Sequence, residues 1–365
     1  MKVGIVTIPD ITNYGNRLQN YAVCRVLQAV FQCQVHSLSS YKEKSFEDGN
    51  YVLWVKNLIA RQMCIFPAFA EKKWGPNITR WANFRNWNKK YIPTRNFYEH
   101  ESLPERLNEE YDLFFAGSDQ IWNYRFPGTK YDDYFLRFAE GRKKAAISGS
   151  FGVEDIPEAW KQTYIDGLSD FAHISVREDA GAKIIKDLLG RGVPVLIDPV
   201  MLLCQEEWLR VAKKPRVDTS KPYILKYYLG EEAEEEKIDH WAKENGYEVH
   251  ELLNDKIPEL YSAGPGEFIS LIANAALVAS DSFHCIAFSI IFRKPFVVYA
   301  RMGSGNYMTS RLDTLLGKFG FQNRWKHLLK PEQYLSCDYS EIDKQMEAEQ
   351  DKALRYIQEV LDSVK

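Results

Sequence analysis

The chain has 365 residues, 45% hydrophobic and 27% charged, with a formal net charge of -3. That length and apolar fraction exclude a disordered chain and favour two domains. The near-balanced charge excludes a nucleic-acid partner, whose phosphates demand a clustered cationic excess. The cysteines Cys24, Cys33, Cys64, Cys204, Cys285 and Cys337 stand singly, with no CxxC pair and no short histidine spacing. No metal site or cofactor is therefore expected, and the thiols read as free, in a reducing cytoplasm. The opening MKVGIVTIPD holds too short an apolar run for a signal-peptide core or a membrane span.

In chain order, short apolar runs followed by polar turns and helical patterns predict α/β construction with parallel strands. Strands are expected over residues 2–8, 112–116, 145–148, 173–176 and 194–197. Val23, Val26, Leu27 and Val30 fall at helical spacing and predict a helix starting near Asn16. Residues 48–91 break the rhythm, with Trp54, Trp74, Trp81 and Trp87 interleaved among Lys56, Arg61, Lys72, Lys73, Arg80, Arg85, Lys89 and Lys90. This insert reads as a flap over a saccharide site, as a peripheral membrane contact, or as a helical hairpin packed on the first lobe.

The polar stretch 205–221, containing KKPRVDTSKP, reads as a linker and divides the chain into 1–215 and 216–365. A second α/β set follows, with strands at 223–228, 247–252, 277–280 and 296–299 and an acidic helix at 231–245.

Residues 264–296, GPGEFISLIANAALVASDSFHCIAFSIIFRKPF, are the most informative. Phe268, Leu271, Ile272 and Ala275 share a helical face, LVAS reads as a buried strand, and Ser282 can cap a helix carrying His284 in its first turn. Ligands of α/β sheets bind beyond strand carboxyl ends, where helix N-termini offer free N–H groups to phosphates and carboxylates. A histidine there suits a general acid, although a structural histidine or helix cap fits equally.

The Gly-Pro-x-Glu-Phe start and the Asp-Ser-Phe-His turn resemble the C-terminal hallmark of polysaccharide pyruvyl transferases. NYGNRLQNYAV (13–23), AGSDQIW (116–122), ISVRE (174–178) and DPVMLL (198–203) resemble further segments of that family, in family order. The insert and the residues beyond about 300 match no family pattern, and Cys285 stands where a small residue is usual.

The resemblance implies two Rossmann-like lobes facing across a cleft, the GT-B arrangement, with the last helix crossing back. It further implies transfer of a pyruvyl group from phosphoenolpyruvate (PEP) to a saccharide or lipid-linked saccharide acceptor, forming a ketal in cell-surface or exopolysaccharide synthesis. In this reading His284 is the acid, Asp119 the base or hydroxyl-orienting group, and Arg177 the fork that grips an oxyanion of PEP. Asn13, Asn16, Gln19, Ser118, Glu267 and Ser282 are the expected substrate-binding residues. Asp119 also fits a turn, Asn16 a helix cap, and Arg177 a surface ion pair with Glu178 or Asp179. A nucleotide-sugar-dependent glycosyltransferase and a non-catalytic binding protein are the competing functions, since fold does not fix chemistry.

Overall fold

The computed structural model describes residues 1–9, 12–40, 75–97, 102–126, 131–230, 235–301 and 309–365. Strands β1 (Lys2–Val6), β2 (Gln34–Ser40), β3 (Thr94–Phe97), β4 (Leu113–Ala116), β5 (Lys144–Gly149) and β6 (His173–Val176) form one sheet. Its order is β3-β2-β1-β4-β5-β6, and all its pairings are parallel. A second parallel sheet has the order β10-β9-β7-β8, from β7 (Tyr223–Tyr227), β8 (Glu248–Glu251), β9 (Leu277–Ser280) and β10 (Phe296–Val298). Sheets covered on both faces need strands that are apolar throughout, which is why LFFA in β4 and LVAS in β9 are wholly buried. The protein is thus α/β, with two Rossmann-like lobes in the GT-B-like arrangement that the sequence implies.

Each sheet reverses its direction of strand addition once, between β1 and β4 and between β7 and β9. Such switch points open a crevice beyond the strand carboxyl ends.

Helix α1 (Tyr14–Ala29) follows β1 and starts earlier than its apolar pattern suggests. The cap is Asn13, whose side chain accepts a 3.2 Å bond from the Asn16 amide, so Asn16 lies inside the helix. Helix α2 (Pro76–Tyr91) is the described part of the insert; residues 48–74, with Trp54 and Trp74, lie outside the described residues. Trp87 is buried in the core, with ring centroids 5.1 Å from Tyr91 and 5.5 Å from Tyr21. Arg80 is buried too, donating to Thr12 O, Tyr261 O and the Tyr14 hydroxyl. Helix α2 is therefore packed between the lobes at Arg80 and Trp87, bonding to Thr12 in the first and Tyr261 in the second.

Helix α3 (Asp179–Leu189) follows β6. The expected strand at 194–197 is reduced to a single bridge between Val176 and Val195, because Pro194 has no N–H to extend the pairing. The expected linker also begins with structure. Helix α4 (Gln205–Val211) buries Trp208 completely, its Nε1 donating 3.0 Å to Val200 O and its ring 4.7 Å from Phe288.

The second lobe adds α5 (Glu235–Glu244), α6 (Pro265–Asn274), α7 (Phe283–Ile291), α8 (Thr309–Lys318) and α9 (Ile342–Asp362). One apolar cluster joins the lobes, centred on Tyr14 of α1 stacked 4.3 Å from Phe268 of α6. Cys285 packs inside it, and burial pushes its thiol up to about 12, so it is an inert core residue. Helix α9 returns to the first lobe: Tyr356 Oη donates 2.8 Å to Ala146 O of β5, and Gln350 Nε2 donates 2.7 Å to Met201 O.

Candidate functional site

The loops after β1, β4, β6 and β9 meet between the lobes. After β4, Asp119 still bridges to Gly149 at the end of β5 and adopts a φ of 82°. A side chain with a Cβ rarely takes that conformation, and the strain is held by local bonds. Gln120 N donates 2.9 Å to Asp119 Oδ1, and Ser150 N donates 3.0 Å to Asp119 O. Asn16 of α1 donates from Nδ2 to Asp119 Oδ2. The turn reading of Asp119 fits its positive φ and its bond from Gln120 N, and its carboxylate also meets Asn16.

Arg177 lies just past β6 and is only 2% exposed. Its partners are not the neighbours Glu178 and Asp179. Nη1 donates to Asp198 Oδ2 and Nη2 donates 3.4 Å to Asp119 Oδ1, while the guanidinium sits 4.4 Å over the Phe283 ring. Asp198 also accepts from Ser118 Oγ at 2.8 Å and from Val200 N at 3.0 Å. Glu178 instead anchors the loop after β5, its Oε1 accepting from Ser150 Oγ, Phe151 N and Gly152 N.

From the second lobe, α7 delivers His284 in its first turn, 7% exposed. His284 Nε2 lies 3.5 Å from Asp198 Oδ2, an ion pair when the ring is protonated, and has no hydrogen-bond partner. The other side of the ring presses on Gly15 of α1: a Cβ there would stand 2.1 Å from Nδ1. Only glycine lets α1 pass this close.

Four ionisable groups from both lobes thus converge. Burial works against ionised Asp198, but the His284 and Arg177 charges outweigh it and hold the carboxyl below its ordinary range. Asp119 is likewise lowered against its burial by Arg177, His284 and Arg311. Arg177 is raised: burial opposes its charge, and Asp198 with Asp119 more than compensates. Such a cluster sets an imidazole beside carboxylates kept ionised, one of which can orient a hydroxyl.

The structure brings together Asn16, Ser118, Asp119, Arg177 and His284 of the residues singled out in the sequence. Gln19 is one layer behind, donating 2.8 Å to Thr7 Oγ1, which in turn donates 3.0 Å to Ser118 O. Glu267 faces its own helix start, accepting 3.2 Å from Gly264 N and pairing 2.6 Å with Lys213. Asn13 acts as the cap of α1. Ser282 occupies the cap position of α7, but its hydroxyl makes no cap bond, contrary to expectation; its amide donates to Ser280 Oγ at 3.0 Å. Asp198 and Gly15, both inside recognised segments, complete the site.

Sequence comparison with curated proteins gives no match. Among solved structures, the chain is similar to a glycosyltransferase from Rickettsia africae ESF-5, at 11% identity over 100% of this chain and 98% of that one, with a TM-score of 0.46. It is also similar to UDP-GlcNAc 2-epimerase from Neisseria meningitidis, at 10% identity over 99% of each chain and a TM-score of 0.45. An E. coli heptosyltransferase matches at 10% identity over 88% of this chain and 98% of that one, with a TM-score of 0.37. The model of one sequence family, described as polysaccharide pyruvyl transferase, matches residues 13–301 and so spans α1 and the loops after β4, β6 and β9. The chain belongs to the polysaccharide pyruvyl transferase family.

Proposed function

We propose that the protein moves the pyruvyl group of PEP onto two hydroxyls of a saccharide or lipid-linked saccharide, closing a ketal and releasing inorganic phosphate. The observation that carries this reading is His284: a buried imidazole nitrogen without a hydrogen-bond partner, set against Asp198 at the meeting point of the two lobes. His284 gives its proton to the PEP methylene, C3, and C2 becomes an oxocarbenium-like centre. One saccharide hydroxyl adds to C2 and its proton returns to the enzyme. A second hydroxyl then displaces phosphate from C2, its proton leaving with the phosphate, so atoms and charge balance.

Asp119, kept ionised and fixed by Asn16, accepts a hydrogen bond from the attacking hydroxyl and aims it at C2. Arg177 and Asp198 form the buried frame that holds His284 and Asp119 relative to each other. Among the described residues no helix is long and apolar enough to cross a membrane.

The test is phosphate release from PEP across a panel of saccharides. His284→Ala should lower turnover by about 10²- to 10⁴-fold, with a much smaller change in PEP binding. A folded His284→Ala enzyme with near-wild-type turnover overturns the assignment. Stabilisation by UDP or GDP but not by PEP would identify a nucleotide-sugar enzyme instead.

A further inference from the structure

Arg311 is a buried cation in the field of Asp119, Glu178 and Arg177. It lies in the first turn of α8, is 5% exposed, and has no hydrogen-bond or ion-pair partner among the described residues. The hydroxyl of its neighbour, Ser310 Oγ, is also buried and unpartnered. Helix α8 belongs to the second lobe but docks on the first. Thr314, one turn beyond Arg311, accepts 3.2 Å from Asp179 N and donates 3.2 Å to Asp179 Oδ2, at the start of α3 and two residues from Arg177. Arg311 therefore stands beside the cluster of Asp119, Arg177 and His284.

The hydrogen bonds of the nearby carboxylates go to other groups, although Glu178 Oε2 has no partner. Asp198 and Asp119 hold Arg177, and Glu178 Oε1 holds the loop after β5. Both terminal nitrogens of Arg177 are thus turned to carboxylates, whereas Arg311 has a buried Nε without a hydrogen-bond partner. Burial and the like charge of Arg177 push Arg311 down to about 10, the mark of a cation awaiting an anion. An unpaired buried charge is costly to keep, and a ligand that pairs with it recovers that cost.

We infer that the N-terminal turn of α8, with Arg311 and Ser310, is the site that takes the phosphate group of the donor. Arg311 offers a guanidinium fork suited to phosphate oxygens, and Ser310 Oγ offers a further donor. The inference rests on the pyruvyl-transfer reading only for the identity of the molecule that carries the phosphate.

The experiment is thermal unfolding and calorimetric titration of the whole chain with PEP, inorganic phosphate and pyruvate, for the wild type, Arg311→Met and Arg311→Lys. Methionine keeps the apolar stem and removes the charge. PEP and phosphate should stabilise the wild type, and pyruvate should not. In Arg311→Met the dissociation constants for PEP and phosphate should rise by about 10- to 100-fold, as for a lost charged hydrogen bond. Its unliganded melting temperature should equal or exceed that of the wild type, whereas a purely structural arginine would lower it. Arg311→Lys should retain part of the binding, and it carries the test if Arg311→Met does not fold. Wild-type affinities in either variant, or stabilisation by pyruvate equal to that by PEP, overturn the phosphate site while leaving pyruvyl transfer standing. Phosphate binding that depends on Arg311, without any PEP binding, overturns pyruvyl transfer and leaves the phosphate site standing.

Discussion

Replacing Gly15 with alanine probes the contact between the lobes with a single methyl group. The added carbon would lie 2.1 Å from His284 Nδ1, whereas ordinary contact begins at 3.4 Å, so the ring must retreat by about 1.3 Å. A misplacement of about 1 Å in a reacting group costs on the order of 10²-fold in rate. Helix propensity works in the opposite direction, since alanine in place of glycine favours a helix by up to ~1 kcal/mol. Gly15→Ala is therefore expected to lose about 10²-fold or more in turnover while its stability changes little. A double-mutant cycle separates the two effects. Once His284 is alanine, the obstacle is gone. Adding Gly15→Ala should then cost no further activity and should stabilise by up to ~1 kcal/mol, the full helix term. Phosphate release and thermal unfolding measure the four corners of the cycle. Wild-type turnover in Gly15→Ala, or a rate loss that multiplies with that of His284→Ala, would refute the contact as the cause.

Two further expectations follow from the same geometry. Asp198→Asn removes one charge partner of buried Arg177 and should cost about 3–5 kcal/mol in denaturant unfolding. Because the folded Asp198 carboxyl lies below its ordinary value of 3.8, its stabilisation is complete above that pH and lost as pH falls through the folded value; the variant should show a shallower loss of stability below about pH 4. Trp87→Ala should cost about 3–5 kcal/mol as a core truncation, whereas Trp81→Ala, at a half-buried position on the same helix, should leave stability nearly unchanged and raise only the Michaelis constant for the saccharide if the insert meets the acceptor. Equal melting losses in the two would undo the distinction.

The strands that could be read from sequence are those whose both faces are covered. Residues 173–176 and 277–280 run unbroken from turn to turn, and their bounds coincide with β6 and β9. Strands β2 and β3 escaped because QVHSLSS and TRNF mix polar residues into the run; Ser37 and Asn20 satisfy each other at 2.8 Å, a pairing invisible in one dimension. His284, Asp119 and Arg177 were legible because each follows a strand end, where α/β chemistry collects. Asp198 lies inside the recognised segment DPVMLL but was not singled out; it caps the short helical turn Pro199–Leu202 while holding Arg177. Gly15 could not be recognised without knowing that α7 faces α1. Arg311 sits in an ordinary amphipathic pattern, beyond the residues the family description spans.

The return of α9 to β5 bears on how the protein is made. In the hydrogen bond between Tyr356 and Ala146 the partners are 210 residues apart in the chain, and α9 also buries Ile357, Val360 and Leu361. On a ribosome the first lobe would emerge with this flank uncovered and wait for the whole second lobe to be synthesised before closing it. Contacts so distant in sequence form late, and the waiting apolar stripe is where a chaperone would bind or where aggregation would start.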